Sequence, residues 1–270
     1  MTGDGEARSR KVSDLVSAGS DIVGSATGAG FGLMVAGAPG VVTGAAMGSA
    51  VAWGLRSAAQ ELASRVLGPK EKARVGATIE FAAQTIDRRL ADGVLPRSDW
   101  IGDDSTPTAE EVAEAVLLAA GREPEQRKLQ LMGRLLGNLA FANELNEIYA
   151  HRLVRLAERL SYSQLNLIAL FNLNMRERYP LAEGRAFSGD GSGNRLALLQ
   201  EIFELHQLTI IQQRATGRSG HDIILNIFTI DLARTQVSTG FGGWLTDLME
   251  LPDSIPLEDL KETYKALLGP

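Results

Sequence analysis

Apolar side chains recur every three to four positions from about residue 70 to residue 177, with polar side chains between them. This spacing is typical of amphipathic α-helices. Glycine, proline and cap signals divide the run into helices at about 70–92, 108–121, 124–139, 144–160 and 161–177. We expect their apolar stripes to form the core of a helical bundle, with these members: Val75, Ile79, Ala83, Ile86, Leu90, Met132, Leu135, Leu136, Leu139, Leu145, Ile148, Leu153, Leu156 and Leu160.

Local signals mark the ends of these helices. Thr108 with Glu111, and Ser161 with Gln164, have the spacing of a capping box, in which each side chain bonds the other residue's backbone N–H. Gly93 is placed to end the first helix. Gly133 and Gly137 lie four residues apart and predict close packing of their helix against a neighbour.

The period changes after about residue 194. A helix (RLALLQEIFELHQL) precedes a β-like run (TIIQQR), a turn (ATGRSGH), an apolar run (IILNIFTI), and then a strand end followed by a helix (TQVSTGFGGWLTDLMEL). A last helix covers 256–268. This order resembles a winged-helix module, whose usual role is DNA binding. Here the expected recognition helix carries Arg195 but also Glu201 and Glu204, which phosphates would repel, so we expect this unit to contact protein.

The segment between Asp21 and Arg56 differs from the rest, because none of its 34 residues is ionisable. Pro39-Gly40 divides it into helical arms at 22–38 and 41–55, which predicts a helical hairpin with its turn at Pro39 and Gly40. Glycines repeat every four residues on each arm and would form a groove for close helix contact. They are Gly24, Gly28 and Gly32, followed by Gly40, Gly44 and Gly48.

Two interpretations of this hairpin remain open. Basic residues flank it and its turn has none, as expected for a membrane hairpin with both ends on the cytoplasmic side. Its arms are about 25 and 22 Å long, short for a bilayer core of about 30 Å, which favours conditional insertion over permanent integration. The alternative is a buried Gly/Ala-rich hairpin at an interface of a soluble oligomer.

Composition limits the chemistry that the chain supports. Zero cysteines exclude disulfides, Cys-ligated metals and thiol nucleophiles, and there are only three histidines. A net charge of −6 argues against binding through nucleic-acid phosphates.

Specific site patterns are incomplete. Asp190, Ser192, Asn194 and Glu201 have the spacing of an EF-hand, but Arg195 stands where that loop needs glycine. The 188–194 loop also lacks the lysine of a phosphate loop. The acids Glu110, Glu111 and Glu114 are typical of a solvated first helical turn. His151 and His206 have no nucleophile partner in the sequence, so we expect both to be structural histidines. We therefore expect no enzyme activity, no cofactor and no metal.

Three runs between residues 124 and 251 resemble the bacterial abortive-infection alpha-type proteins: RKLQLMGRLLGNLAFANELNEIYAHRLVRLAERLSYSQLNLIALF, ELHQLTIIQQ and VSTGFGGWLTDLMEL. The shared pattern is a helix ending in small residues, a helix leading to a Leu-Ser step, and a strand followed by a Thr-Gly helix. The resemblance implies a role in phage defence, in which a triggered effector harms its own cell. It does not extend to the glycine hairpin.

The sequence thus predicts a mainly α protein with a polar leader (1–14), a glycine-zipper hairpin (15–68), a helical bundle (69–178) and a small winged-helix-like α+β unit (179–270). The predicted function is conditional membrane disruption by a pore-forming homo-oligomer. The protein would be cytoplasmic and move to the inner membrane. Its partners would be membrane lipid, further copies of itself and a protein trigger or regulator. We do not expect it to bind nucleic acid. The alternative is a soluble homo-oligomeric scaffold or regulatory adaptor.

Overall fold

Helices dominate the described part of the chain, as the periodicity predicts. The computed structural model describes residues 67–97, 108–175, 179, 181, 193–214 and 230–268. The elements are α1 (Pro69–Ala91), α2 (Thr108–Arg122), α3 (Gln126–Leu139), α4 (Glu147–Arg159), α5 (Tyr162–Met175), α6 (Gly193–Gln207), β1 (Ile211–Gln213), a 3₁₀ turn (Leu232–Arg234), β2 (Thr235–Val237), α7 (Phe241–Leu248), α8 (Leu251–Ser254) and α9 (Leu257–Leu268).

The chain divides into two compact units, residues 1–159 and 160–270. In the first unit, α1 packs against α2 and α3, and α2 packs against α3 and α4. The start of α1 follows from its sequence, because Pro69 occupies a position that needs no backbone donor and the Gly68 N–H bonds the Glu71 carboxylate at 2.8 Å. The helix ends before Gly93, whose φ of +78° suits glycine.

Most of the predicted stripes of α1 and α3 lie in the core of the first unit. Val75, Ile79 and Ile86 are buried on α1, whereas Ala83 and Leu90 are only half-buried, and the apolar stripe of α3 is buried along its length. The prediction for Ile148 is wrong, because 76% of its side chain is exposed. The buried face of α4 is formed by Ala150, Leu153, Val154, Leu156 and Ala157. Ile148 lies two residues before Ala150, about 200° away around the helix, and therefore on the opposite face.

The second unit is built around α5, which packs against α6, α7, α8, α9 and β2. Six of its consecutive residues, 165–170, are all buried, so this helix is enclosed on every side. Its first turn has the predicted capping box: the Gln164 N–H donates to Ser161 Oγ at 3.1 Å, and the Ser161 N–H donates to Gln164 Oε1 at 3.0 Å. The sequence prediction groups this helix with the preceding bundle, whereas the structure divides the chain after residue 159 and places α5 in the second unit.

A short antiparallel ladder joins β1 to β2, with Ile211 opposite Val237 and Gln213 opposite Thr235. The predicted strand at TIIQQR is confirmed by β1, and the predicted helix after the Thr-Gly step is confirmed by α7. The turn and apolar run of the winged-helix-like pattern, residues 215–229, lie outside the described residues.

Candidate functional site

The residues that the sequence predicts to carry function lie outside the described part of the chain. They are the zipper glycines and the hairpin turn: Gly24, Gly28, Gly32, Pro39, Gly40, Gly44 and Gly48. The Gly/Ser loop at 188–194 is outside it except for Gly193 and the backbone of Asn194, which begin α6. No described helix has the combination of length and hydropathy that crossing a bilayer requires.

The contact between α1 and α3 uses glycines four residues apart. A Cβ on Gly133 would lie 2.7 Å from the Thr78 carbonyl oxygen, and a Cβ on Gly137 would lie 2.8 Å from that of Ala82. Real side chains do not approach a backbone oxygen this closely, so both positions require glycine. This pair, which the sequence predicts to allow close packing, brings the two helix backbones into direct contact.

A buried ion pair links the connection between α2 and α3 to the first turn of α3, and its lysine also bonds the end of α4. Lys128 and Glu123 are 2% and 5% exposed and form a salt bridge. Lys128 Nζ also donates to the carbonyl oxygen of Glu158 at 3.2 Å, and the second Glu123 oxygen accepts from the Glu125 N–H at 2.9 Å. Each charge therefore has an opposite charge and a further hydrogen bond, which is what burial of an ion pair needs.

Three side chains with metal-ligating atoms meet where α2 packs against α4. Glu111 comes from the first turn of α2, and Glu147 and His151 lie one turn apart on α4. One ligand atom from each lies within 4.8 Å of the other two, and Glu147 Oε1 is 3.8 Å from His151 Nε2. The sequence shows Glu147 and His151 at an i, i+4 spacing, but it does not show that Glu111 joins them.

His206, at the end of α6, is a titratable group in an altered environment. Burial lowers the pKa of its imidazole from 6.5 to about 4, although a hydrogen bond with the backbone of Ile211 opposes this shift. Its Nε2 atom is buried without a hydrogen-bond partner. The ring is therefore neutral at pH 7 and packs in the second unit, in keeping with the structural role expected for an isolated helical histidine.

Polar bonds fix α5 to two of its neighbours. Tyr162 Oη donates to Asp259 Oδ2 at 2.8 Å, and Asn166 Nδ2 donates to Thr263 Oγ1 at 3.0 Å, which joins α5 to α9. Gln164 Nε2 donates to Glu204 Oε2 at 2.8 Å, which joins α5 to α6.

The exposed described side chains of α6 include Gln200, Glu204 and Gln207 but no lysine or arginine.

An open apolar groove of about 390 Å³ lies between α5, α8 and α9. Its lining is Leu173, Tyr179, Pro252, Ile255, Leu257 and Leu260. Among the described residues that line it, the Tyr179 hydroxyl is the single polar side-chain group, so the groove offers shape and apolar surface but no acid–base pair.

Comparison of the chain with protein-family models, with curated proteins and with solved structures gives no match.

Proposed function

We propose that the protein is a non-enzymatic bacterial defence effector that inserts its glycine-zipper hairpin into a membrane when triggered. Oligomers of the hairpin would then disrupt the membrane. The observation that carries this proposal is the uncharged interval between Asp21 and Arg56, with glycine at every fourth position on both arms. Glycines at this spacing let helices approach closely, which is the main source of helix association in a bilayer.

The packing of α3 on α1 supports the helix-association step of this proposal. Gly133 and Gly137 have the same four-residue spacing as the zipper glycines, and they bring two helix backbones together. The resemblance to abortive-infection alpha-type proteins supports a setting of phage defence, in which a triggered effector harms its own cell. In that setting the protein would wait in the cytoplasm and act at the inner membrane after a protein trigger. The described exposed side chains of α6 include Glu204 and no lysine or arginine, which supports the expectation that nucleic acid is not a partner.

The test compares the leakage of dye from anionic liposomes caused by three proteins. The full-length chain should release dye, and residues 69–270 alone should fold and release none. The double variant Gly28→Leu/Gly44→Leu should bind liposomes at least as well as the wild type, because leucine is more apolar. It should nevertheless lose leakage, because leucine fills both grooves.

Gly30→Leu/Gly54→Leu is the matched control, since it adds the same apolar surface to each arm at positions off the four-residue repeat. This control should retain leakage. Full leakage by the Gly28/Gly44 variant, or leakage by residues 69–270, would contradict the zipper-pore proposal.

The second candidate function is a soluble homo-oligomeric scaffold or regulatory adaptor that assembles through the hairpin. The specific observation in its favour is again the pair Gly133 and Gly137, because here the chain uses glycine for close packing inside a charged helical unit. In that case the Gly28/Gly44 variant would overpack a buried interface at a cost of about 1–3 kcal/mol per site. Light scattering would then show dissociation or aggregation, and flotation would show no liposome binding by the wild type.

A further inference from the structure

We propose that Glu111, Glu147 and His151 form a binding site for one divalent transition-metal ion of the Zn²⁺ type. This site is independent of the hairpin and of the function proposed above, because all three residues lie on α2 and α4.

The helical spacing of α4 provides two of the ligands. Glu147 and His151 are four residues apart, so their side chains lie one above the other on the same face. Glu147 Oε1 and His151 Nε2 are 3.8 Å apart. Two ligands of a tetrahedral ion with bonds of about 2.1 Å are separated by about 3.4 Å. A small rotation about the glutamate side-chain bonds is therefore enough to bring both atoms to one ion.

The packing of α2 against α4 provides the third ligand. The Glu111 carboxylate lies within 4.8 Å of both α4 ligand atoms. It belongs to an exposed side chain with rotatable bonds, so it can close the remaining distance. An ion held by these three residues would join the first turn of α2 to the first two turns of α4.

Charge and exposure favour a cation at this point. Glu111 and Glu147 place two carboxylates close together, and such like charges repel each other unless a cation lies between them. The exposed fractions of His151 and Glu147 are 27% and 48%. Water can therefore reach the cluster and complete the coordination shell of the ion, as in zinc sites with three protein ligands.

The donor set selects the type of metal. An imidazole nitrogen with two carboxylates suits Zn²⁺ and similar first-row ions, whereas Mg²⁺ and Ca²⁺ prefer oxygen ligands alone. We therefore expect the site to bind Zn²⁺ in the presence of excess Mg²⁺ or Ca²⁺.

The experiment is calorimetric titration of ZnCl₂ into the full-length chain without a histidine tag, after treatment with a chelator. We expect one Zn²⁺ per chain that depends on His151. The variants His151→Gln, Glu111→Gln and Glu147→Gln should each weaken this binding by more than about tenfold, since loss of even an outer-shell partner commonly costs that much.

Glu110→Gln is the matched control, because it removes one carboxylate from the same turn of α2 without touching the cluster. It should bind Zn²⁺ like the wild type. Far-UV circular dichroism checks that each variant is folded, and titration with CoCl₂ gives a second readout through the visible absorption of Co²⁺. The proposal is overturned if the wild type does not bind Zn²⁺, if His151→Gln binds it equally well, or if Glu110→Gln weakens binding as much as Glu111→Gln.

Discussion

The close contact of α3 with α1 predicts opposite effects for the same substitution at two buried helical glycines. In Gly133→Ala, the new Cβ would lie 2.7 Å from the Thr78 carbonyl oxygen and 3.1 Å from the Ala82 nitrogen. Both are backbone atoms, so no side chain can rotate away and the two helices must separate. In Gly121→Ala, the nearest atom is a Val75 methyl carbon at 3.4 Å, which is an ordinary contact.

The magnitudes follow from two opposing contributions. Replacing a helical glycine with alanine stabilises a helix by up to about 1 kcal/mol. Overpacking a close contact costs about 1–3 kcal/mol, and at Gly133 the rigid backbone places the cost near the upper end of that range. We therefore expect Gly133→Ala to lower the free energy of unfolding by about 1–2 kcal/mol. Gly121→Ala should leave it unchanged or raise it by up to about 1 kcal/mol.

Urea denaturation of the full-length chain, followed by far-UV circular dichroism, measures both changes. Hydrogen exchange of peptides from α1 and α3 locates the effect, since exchange in these two helices should accelerate in Gly133→Ala and not in Gly121→Ala. A Gly133→Ala protein as stable as Gly121→Ala, with unchanged hydrogen exchange in α1, would contradict the close contact between α1 and α3.

Two further predictions concern buried ionisable groups. Lys128→Met should lower the free energy of unfolding by about 3–5 kcal/mol, because it leaves Glu123 buried without its cation. The double variant Glu123→Gln/Lys128→Met should recover a large part of that loss. Urea midpoints measure both variants, and equal losses of stability in the single and double variants would contradict the prediction. Since the pKa of His206 is about 4 in the folded chain and 6.5 is its ordinary value, the unfolded chain binds more protons between these pH values. The contribution of the neutral His206 ring to the free energy of unfolding should therefore be fully present above pH 6.5. It should fall by about 2 kcal/mol as the pH approaches 4, after allowance for the partial exposure of the ring. In His206→Gln this part of the pH dependence should be missing, and an identical pH profile for both proteins would show that His206 does not contribute.

The sequence predicts most of the helical framework because the information is local. Apolar residues repeated at the helical period give the stripes that are buried on α1 and α3. The capping box of Ser161 and Gln164 depends on residues three positions apart, and Gly133 and Gly137 are one turn apart, so both features are visible in the sequence.

The burial of a side chain is harder to predict from the sequence when it depends on how its helix packs against another element. Ile148 is a member of the predicted stripe, but α4 packs with the opposite face, which carries Ala150 and Leu153, and leaves Ile148 exposed. Lysine and glutamate are usually exposed, so the sequence does not predict that Lys128 and Glu123 are buried. They can be buried because each forms a salt bridge with the other.

The mainly α class, the helix boundaries to within a few residues, and the close packing permitted by Gly133 and Gly137 can all be predicted from the sequence. These depend on the period of apolar residues and on cap signals, which act over one or two helical turns. The sequence does not predict that α5 is enclosed by the second unit, that the neighbour of Gly133 and Gly137 is α1, or that Glu111 meets Glu147 and His151. The spacing of apolar residues along a helix indicates which of its faces is buried. It does not indicate which element packs against that face, because that element is far away in the chain.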